Sequence, residues 1–226
     1  MKKLLSALLF ISIASILADQ PLILGPRHIQ GTGPIEIDGL VYSQTYVYSN
    51  LITGLSNYSS GNRWLCDDFE LDGDYYITDM YVWMMWTGEM GSMMNLVISV
   101  DDTGDSDPNT NTDVWVESVP CTNTFTGDSN WGYNIYETHC TISADAYPEL
   151  DAGVHYYFET QADVNDNCFI LFSENFIGDD SWYDDGSGVW VECMIVFGFP
   201  MDLFFDFYGE NLALEPETWG SIKTLF

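Results

Sequence analysis

The chain has 226 residues, with 35 acidic and 5 basic side chains, and its formal net charge is −30 at pH 7. A surface this acidic repels nucleic acid phosphates and anionic membranes, which argues against DNA or RNA binding. The apolar fraction of 46% and the aromatic fraction of 15% are high enough for a hydrophobic core, so the charge does not indicate disorder. Three explanations of the charge stay open: divalent-cation binding, a salty habitat, and solubility after export.

The first eighteen residues have the pattern of a secretory signal peptide. Lys2 and Lys3 precede an apolar run, and Ala18 is a small residue before a cleavage point at Asp19. The alternative is a membrane anchor, but the run is short for a bilayer span, and we expect no transmembrane segment elsewhere. We therefore expect a secreted protein, extracellular or at the cell surface.

Beyond the signal peptide, short runs of aromatic and β-branched residues alternate with Gly, Asp, Asn and Ser, a pattern typical of strands. Residues 19–39 are rich in Pro and Gly and predict an irregular segment, followed by one β domain over residues 40–210. The connections are too short for helical crossovers, which favours antiparallel pairing, and two packed sheets would bury the apolar faces. The expected fold class is an all-β, antiparallel two-sheet β-sandwich of jelly-roll type with about ten strands. The strand candidates are residues 40–49, 63–71, 75–86, 95–100, 113–119, 131–142, 154–160, 168–173, 189–197 and 202–209.

Residues 211–226 form a C-terminal tail of different character. Pro216 would begin a short helix that places Trp219, Ile222 and Phe226 on one face. Docking on the sandwich is favoured, since an exposed Trp and Phe would be adhesive. An attachment signal and a contact with a neighbouring subunit are the alternatives.

The segment between two strand candidates, "VISVDDTGDSDPNTNTDVWV" at residues 97–116, is a candidate calcium loop. Calcium prefers several oxygen ligands, and here Asp or Asn recurs at every second residue from 105 to 113. An EF-hand loop counted from Asp105 requires Gly at Thr110 and Glu at Val116, so that motif is absent. The alternative is a polar hairpin loop, because turns favour the same residue types. The candidate ligands are Asp101, Asp102, Asp105, Asp107, Asn109, Asn111 and Asp113.

A second acidic segment, "GDDSWYDDGSG" at residues 178–188, combines carboxylates with aromatic rings. Rings stack on sugar faces and carboxylates accept hydroxyl hydrogens, so Asp180, Trp182, Tyr183 and Asp184 are candidate carbohydrate ligands. The alternative is a loop whose aromatic side chains fold back onto the sheet.

Five cysteines are present, and export would permit disulfides. Cys121 and Cys140 flank the turn signal "TGDSN", so we expect them to face each other across a hairpin and form a disulfide. Cys168 and Cys193 are candidates for a second bridge, which leaves Cys66 as a buried thiol.

Several short motifs together resemble exported bacterial jelly-roll-like β-sandwich modules, most of them uncharacterised. The resemblance covers most of residues 60–226 and implies a secreted sandwich module without assigned catalytic residues. The motifs are "CDDFEL" at 66–71, "ITDMYVWMMW" at 77–86, "VISVDDTG" at 97–104, "LDAGVHYYF" at 150–158 and "DLFFDFYG" at 202–209.

Catalysis finds little support in the sequence, because the histidines have no metal spacing and no nucleophile or phosphate-loop motif occurs. A glycoside hydrolase needs only two carboxylates on a sheet, and Glu137, Glu159, Glu174 and Glu192 lie in or beside strand candidates. Methionines at positions 84, 85, 90, 93 and 94 offer soft ligands for Cu(I), although core packing is the ordinary role.

The sequence thus predicts a non-enzymatic structural protein that assembles with itself, as an oligomer or filament, in a cation-dependent way. A carbohydrate-binding module that contacts extracellular glycans is the first alternative. A glycoside hydrolase-like enzyme is the second. Calcium is the only cofactor predicted.

Overall fold

A computed structural model describes residues 23–24, 39–165, 168–173 and 180–212, with only the backbone at 23–24 and at Ile52. The predicted signal peptide, almost all of residues 19–39 and the tail beyond residue 212 lie outside the described residues.

The described chain is almost entirely β, and every strand pairing in it is antiparallel. The strands are β1 (Ile23–Leu24), β2 (Leu40–Gln44), β3 (Leu51–Ser56), β4 (Trp64–Glu70), β5 (Tyr75–Trp86), β6 (Met93–Val100), β7 (Thr112–Asn130), β8 (Tyr133–Thr141), β9 (Glu149–Leu150), β10 (His155–Ala162), β11 (Cys168–Ser173), β12 (Trp182–Asp184), β13 (Val191–Glu192), β14 (Asp202–Leu203) and β15 (Phe205–Asn211). One α-helix, α1 (Cys193–Phe197), and 3-10 turns at Tyr48–Asn50, Ser59–Gly61 and Pro108–Thr110 complete the described elements.

Strand β7 joins two groups of strands into one curled sheet. Its first half, up to Pro120, pairs with β6, and its second half, from Cys121, pairs with β8. On the first side the order is β7, β6, β10, β4, β12 and β13, here called the β6 group. On the second side β8 leads to β5, which also pairs with β9, β11 and β15; these strands with β1, β2, β3 and β14 form the β5 group.

Aromatic side chains from the two groups meet in the core. Phe69 of β4 and Phe158 of β10 lie 4.9 and 5.0 Å, between ring centroids, from Phe207 of β15. Phe158 also lies 5.1 Å from Phe205, and all four rings are buried. The groups therefore face each other across a shared hydrophobic core, which the curl of the sheet encloses.

Two predicted strands match their observed bounds, 75–86 for β5 and 168–173 for β11. The hairpin that carries Cys121 is longer than predicted, because "TGDSN" continues β7 and the chain turns instead at Trp131 and Gly132. Both turn residues have positive φ, 50° and 87°, as a two-residue type I′ hairpin requires.

The strand predicted over residues 189–197 is wrong in its second half. Only Val191–Glu192 is a strand, and Cys193–Phe197 is helical. The helix ends because Gly198 takes a left-handed conformation with φ of 84° and donates its N–H to the Met194 carbonyl oxygen. None of the helical segments in the described ranges is long and apolar enough to span a bilayer.

Candidate functional site

The acidic loop between β6 and β7 is held together by its own carboxylates. Asp101 accepts hydrogen bonds from the backbone N–H of Gly104 at 2.7 Å and of Ser106 at 3.2 Å. Asp107 accepts from the Asn109 N–H at 2.9 Å. The Asp107 bond spans two residues, as in an Asx turn, and both aspartates make the side-chain-to-backbone bonds expected of a polar hairpin loop.

The remaining candidate calcium ligands lie in the same loop or at its end. Asp102 accepts from the Thr112 hydroxyl at 3.0 Å and Asp105 from the Thr110 hydroxyl at 3.1 Å. Asn111 is different, since both polar atoms of its amide are buried without a hydrogen-bond partner among the described residues. Asp113 lies on β7 opposite Ser99. Within the described ranges no group of three or more His, Cys, Asp or Glu side chains is arranged for a metal, so calcium binding by this loop stays a prediction.

His155 links the acidic loop to the strands beneath it. Its Nδ1 lies 3.2 Å from Asp101 Oδ2, and its Nε2 lies 3.0 Å from Asp68 Oδ2. The hydrogen bond with Asp68 is the largest cause that raises the pKa of His155, to about 9; burial works against the rise, and Asp101 adds to it. For Asp101, burial raises the pKa of the carboxyl, but the hydrogen bonds from His155 and from the loop lower this pKa overall. A protonated imidazole between two carboxylates therefore anchors the loop.

The His155→Gln variant is expected to be destabilised by about 2 kcal/mol at pH 6, with the difference from wild type vanishing near pH 9.5. The folded-state pKa of about 9 lies above the ordinary value of 6.5, so the contribution is full below pH 6.5 and is lost as pH rises through 9. Chemical denaturation of both proteins across this pH range measures it. His139→Gln is the control, because His139 contacts a single carboxylate, Asp79. If the difference in stability between His155→Gln and the wild type did not change with pH, this would contradict an imidazolium paired with two carboxylates.

The predicted carbohydrate ligands are not available for stacking, which corrects the first interpretation of this segment. Trp182 and Tyr183 are 8% and 2% exposed, and the Tyr183 hydroxyl accepts a hydrogen bond from Arg63 at 2.8 Å. Asp184 is also buried and accepts from the Gly186 and Gly188 N–H groups. The rings pack against the sheet because β12 pairs with β4 within the β6 group.

Asp180 has a comparable structural role. Its carboxylate accepts from the Met194 and Met201 N–H groups and so fixes helix α1 and the segment that follows it. The acidic loop reaches this region through Asn109, whose side chain donates to the Trp190 carbonyl oxygen at 3.0 Å and accepts from its N–H at 2.7 Å. The two acidic segments singled out in the sequence are therefore neighbours.

Cys121 and Cys140 face each other, as predicted, but the structure holds both as free thiols. The Cys121 N–H donates to the Ser92 carbonyl oxygen at 2.8 Å, away from β8, so Cys121 and Cys140 form a non-hydrogen-bonded cross-strand pair. Burial raises the pKa of both thiols, which keeps them protonated and slow to oxidise.

The second predicted bridge, between Cys168 and Cys193, is also absent, and both are free thiols. Cys168 lies on β11, with its thiol directed at the Asn57 carbonyl oxygen. Cys193 instead lies near Cys66, because Trp182 pairs with Cys66 on one side and with Glu192, the residue before Cys193, on the other. Burial raises the pKa of both Cys66 and Cys193.

Among the candidate glutamates that the structure describes, Glu159 has the largest shift in pKa. Burial, followed by the negative charge of Asp113, raises its pKa to about 7, while a hydrogen bond from Ser99 works against the rise. Burial also raises the pKa of Glu137. Glu192 is partly exposed on β13, and Glu174 lies outside the described residues. Of the clustered methionines, 84, 85 and 94 are core residues and Met90 is 45% exposed.

A row of polar side chains crosses the outer face of the β5 group, and the sequence alone does not predict it. Five strands place Ser43, Asp206, Tyr81, His139 and Thr122 side by side, each in register with the next. The register between distant strands creates this row, and no local sequence signal contains that information.

Aromatic rings and carboxylates alternate around the centre of this row. The Tyr81 and His139 rings stack at 4.4 Å, and Tyr208 meets Tyr81 edge-on at 5.0 Å. Asp79 Oδ1 lies 2.6 Å from His139 Nε2. Burial raises the pKa of Asp206 to about 6. This face of the sheet therefore presents tyrosine hydroxyl groups and the edges of aromatic rings beside carboxylate oxygens that can accept hydrogen bonds.

Among the described residues, strand β7 is paired on one side only along each of its halves. No described residue of β7 belongs to two ladders, and Val114 and Val116 on its first half are 49% and 59% exposed. Phe125 on its second half is 49% exposed. Exposed apolar side chains on an unpaired edge are the features that promote strand addition.

Comparison with known families and with curated proteins gives no further guide to function, because no family model and no curated protein matches the chain.

Proposed function

We propose that this chain is a secreted, non-enzymatic structural protein of the cell surface or extracellular space, which associates with itself through strand β7 when cations are present. The strand groups would form the two sheets of a jelly-roll-type β-sandwich. The observation that carries the proposal is the long, exposed edge of β7, which pairs on one side only within the described ranges.

The direction of the backbone groups on this edge follows from Cys121. Because the Cys121 N–H points toward the β6 side, alternation directs the N–H groups of Val119 and Glu117 the same way. Those of Ser118 and Val116 point outward. Pro120, which has no N–H, also occupies an outward position, as proline does in edge strands. No described strand pairs with the outward side of Val116 and Ser118, so a strand of another copy would pair there.

Charge supplies the reason for a cation requirement. Each copy carries a formal charge of −30, and Asp113 and Glu117 lie on the edge itself. Two such edges repel each other unless counterions screen the charges or bridge the carboxylates. Divalent cations should therefore promote association more strongly than sodium at equal ionic strength.

Sedimentation velocity of protein purified after expression of the full chain, in calcium chloride and in sodium chloride of matched ionic strength, tests this proposal. We expect larger species in calcium for the wild type. Ser118→Pro, which removes an outward N–H, and Val116→Lys should reduce assembly at least tenfold. Val189→Lys is the matched control, because Val189 is 53% exposed and lies outside the strands. A monomer in every condition, or equal loss in both lysine variants, would refute assembly through β7.

Carbohydrate binding is the second candidate function, and the partly exposed side chains of Tyr81, His139 and Asp79 favour it. Aromatic edges with adjacent carboxylates provide contacts to ring hydrogens and acceptors for sugar hydroxyls. A glycan array, repeated with Tyr81→Ala and with Phe125→Ala as a control for loss of an exposed ring, tests it. Binding that survives Tyr81→Ala would exclude this face.

A further inference from the structure

A cleft lies between the turn that joins β5 to β6 and the hairpin that joins β7 to β8. Its volume is about 450 Å³, within the roughly 300 to 1,000 Å³ of small-molecule sites in proteins. Two glycines line it together with residues that have larger side chains, which are Trp86, Glu89, Met90, Tyr133, Asn134 and Tyr136. A cleft of this size that combines aromatic and polar side chains can hold a small ligand.

The register of β5 and β8 builds an aromatic wall in this cleft. Tyr136 of β8 is the Cα partner of Met84, so Trp86, two residues further along β5, lies on the same face of the sheet. Asn123 accepts a hydrogen bond from the Trp86 indole N–H at 3.1 Å, which fixes the orientation of that ring. Tyr136 contacts Phe125 of β7, with ring centroids 5.9 Å apart. Two aromatic rings are therefore held in place before any ligand binds.

The charge of the cleft comes from one carboxylate. Glu89 is exposed in the turn after β5, and it makes no hydrogen bond or ion pair with any described residue. Among the described residues that line the cleft, none is basic, and the chain as a whole carries a formal charge of −30. Such a surface attracts cations and repels anions. The cleft therefore favours a ligand with a positive charge.

The other groups in the cleft distinguish between kinds of cation. A calcium ion requires a shell of oxygen ligands, whereas this cleft provides aromatic rings and the thioether of Met90, which is 45% exposed. A primary ammonium brings several N–H donors, each of which needs an acceptor. A quaternary ammonium has no N–H group, and its methyl groups contact aromatic faces and polarisable sulfur favourably. A quaternary ammonium is therefore the cation that matches these groups best.

We propose that this cleft binds a small organic cation with a quaternary ammonium group, of the choline type. Trp86 and Tyr136 contact the methyl groups, and the Glu89 carboxylate balances the charge. Asn134 binds the hydroxyl end of the ligand: its Oδ1 already accepts from Ser129 Oγ at 2.9 Å, so its NH2 group is the one available to donate. The ligand is the free cation rather than a phosphate-bearing headgroup, since the acidic surface repels phosphate. This site does not depend on assembly through β7.

Ligand-observed NMR titrations with choline chloride, using protein purified after expression of the full chain, test this site. Sodium chloride buffers without divalent cations keep the binding measurement independent of cation-driven assembly. We expect saturable binding with a Kd of about 1 mM or lower. If choline showed no saturable binding to the wild type, the proposal would be overturned, whatever the outcome of the assembly experiment.

Two further compounds separate the charge of choline from its shape and its source. The neutral alcohol dimethylbutanol, in which carbon replaces the nitrogen of choline, should bind about tenfold more weakly. Phosphocholine adds negative charge and should also bind more weakly than choline. Equal affinity for the neutral alcohol would show that the cleft recognises only apolar shape, and this would overturn the proposal. Tighter binding of phosphocholine would overturn it too, since the ligand would then be a headgroup.

Variants assign the binding to the cleft. Glu89→Gln, in an exposed turn, should lower the affinity for choline about fivefold. Glu149→Gln is the matched control and should bind like the wild type, because Glu149 is exposed opposite Tyr76, at the other end of β5. Tyr136→Leu should lower the affinity about tenfold, whereas Tyr136→Phe keeps the ring and should retain binding. Equal losses in the two glutamine variants, or full affinity in Tyr136→Leu, would overturn the site.

Discussion

Phe207→Ala is expected to lower the free energy of unfolding by about 4 kcal/mol. The Phe207 ring is fully buried and lies about 5 Å from the rings of Phe69, Phe158 and Phe205, so its removal leaves a cavity where the two strand groups meet. Urea denaturation followed by tryptophan fluorescence measures the loss.

Phe125→Ala is the control for Phe207→Ala, because Phe125 is 49% exposed and contacts one ring, Tyr136 at 5.9 Å. Its loss should cost less than about 1 kcal/mol. If the two alanine variants were equally destabilised, the aromatic cluster would not be the centre of the core.

Gly209→Ala should cost about 3 kcal/mol, although it adds only one methyl group. Gly209 lies on β15 opposite Ile77 of β5, next to a register shift, and a Cβ there would collide with the Tyr76 carbonyl oxygen. Backbone cannot move aside as a side chain can, so β15 would have to separate from β5. Denaturation midpoints of the variant and the wild type provide the measurement.

Gly73→Ala is the matched control for Gly209→Ala. A Cβ at Gly73 would meet only the ring of Tyr75, a side chain that can move away. Neither glycine has positive φ, so the comparison isolates the close backbone approach. Comparable destabilisation in both variants would show that the contact with Tyr76 is not the cause.

Strands with strong local signals could be predicted from the sequence, whereas strands that depend on distant partners could not. β5 and β11 are apolar runs with turn residues at their ends, and their bounds match. β3 was missed because Gly54 weakens its strand pattern. The structure explains that glycine, since a Cβ there would crowd Met85 and Phe169. The helix after Glu192 was missed because an apolar run of β-branched and aromatic type does not distinguish a buried strand from a short helix.

For the candidate sites too, the sequence could locate individual segments but not the contacts between distant segments. The sequence located the acidic loop and the segment around Trp182, but their contact through Asn109 and Trp190 depends on tertiary structure. The burial of Trp182 also depends on β12 pairing with β4. The hydrogen bond from the Leu203 N–H to Asp67, 136 positions apart in the numbering, has no local sequence signal at all.

The order of the strands has a consequence for the nascent chain. β3 pairs with β11, β4 lies between β10 and β12, and most of β5 pairs with β15. Of the described ladders, only β6–β7, β7–β8 and β12–β13 are between consecutive strands. Among the described strands, β4 therefore has no partner until β10 is made, and β2 has none until β15 is made. Such a polypeptide completes its structure late, through contacts of long sequence separation that form slowly.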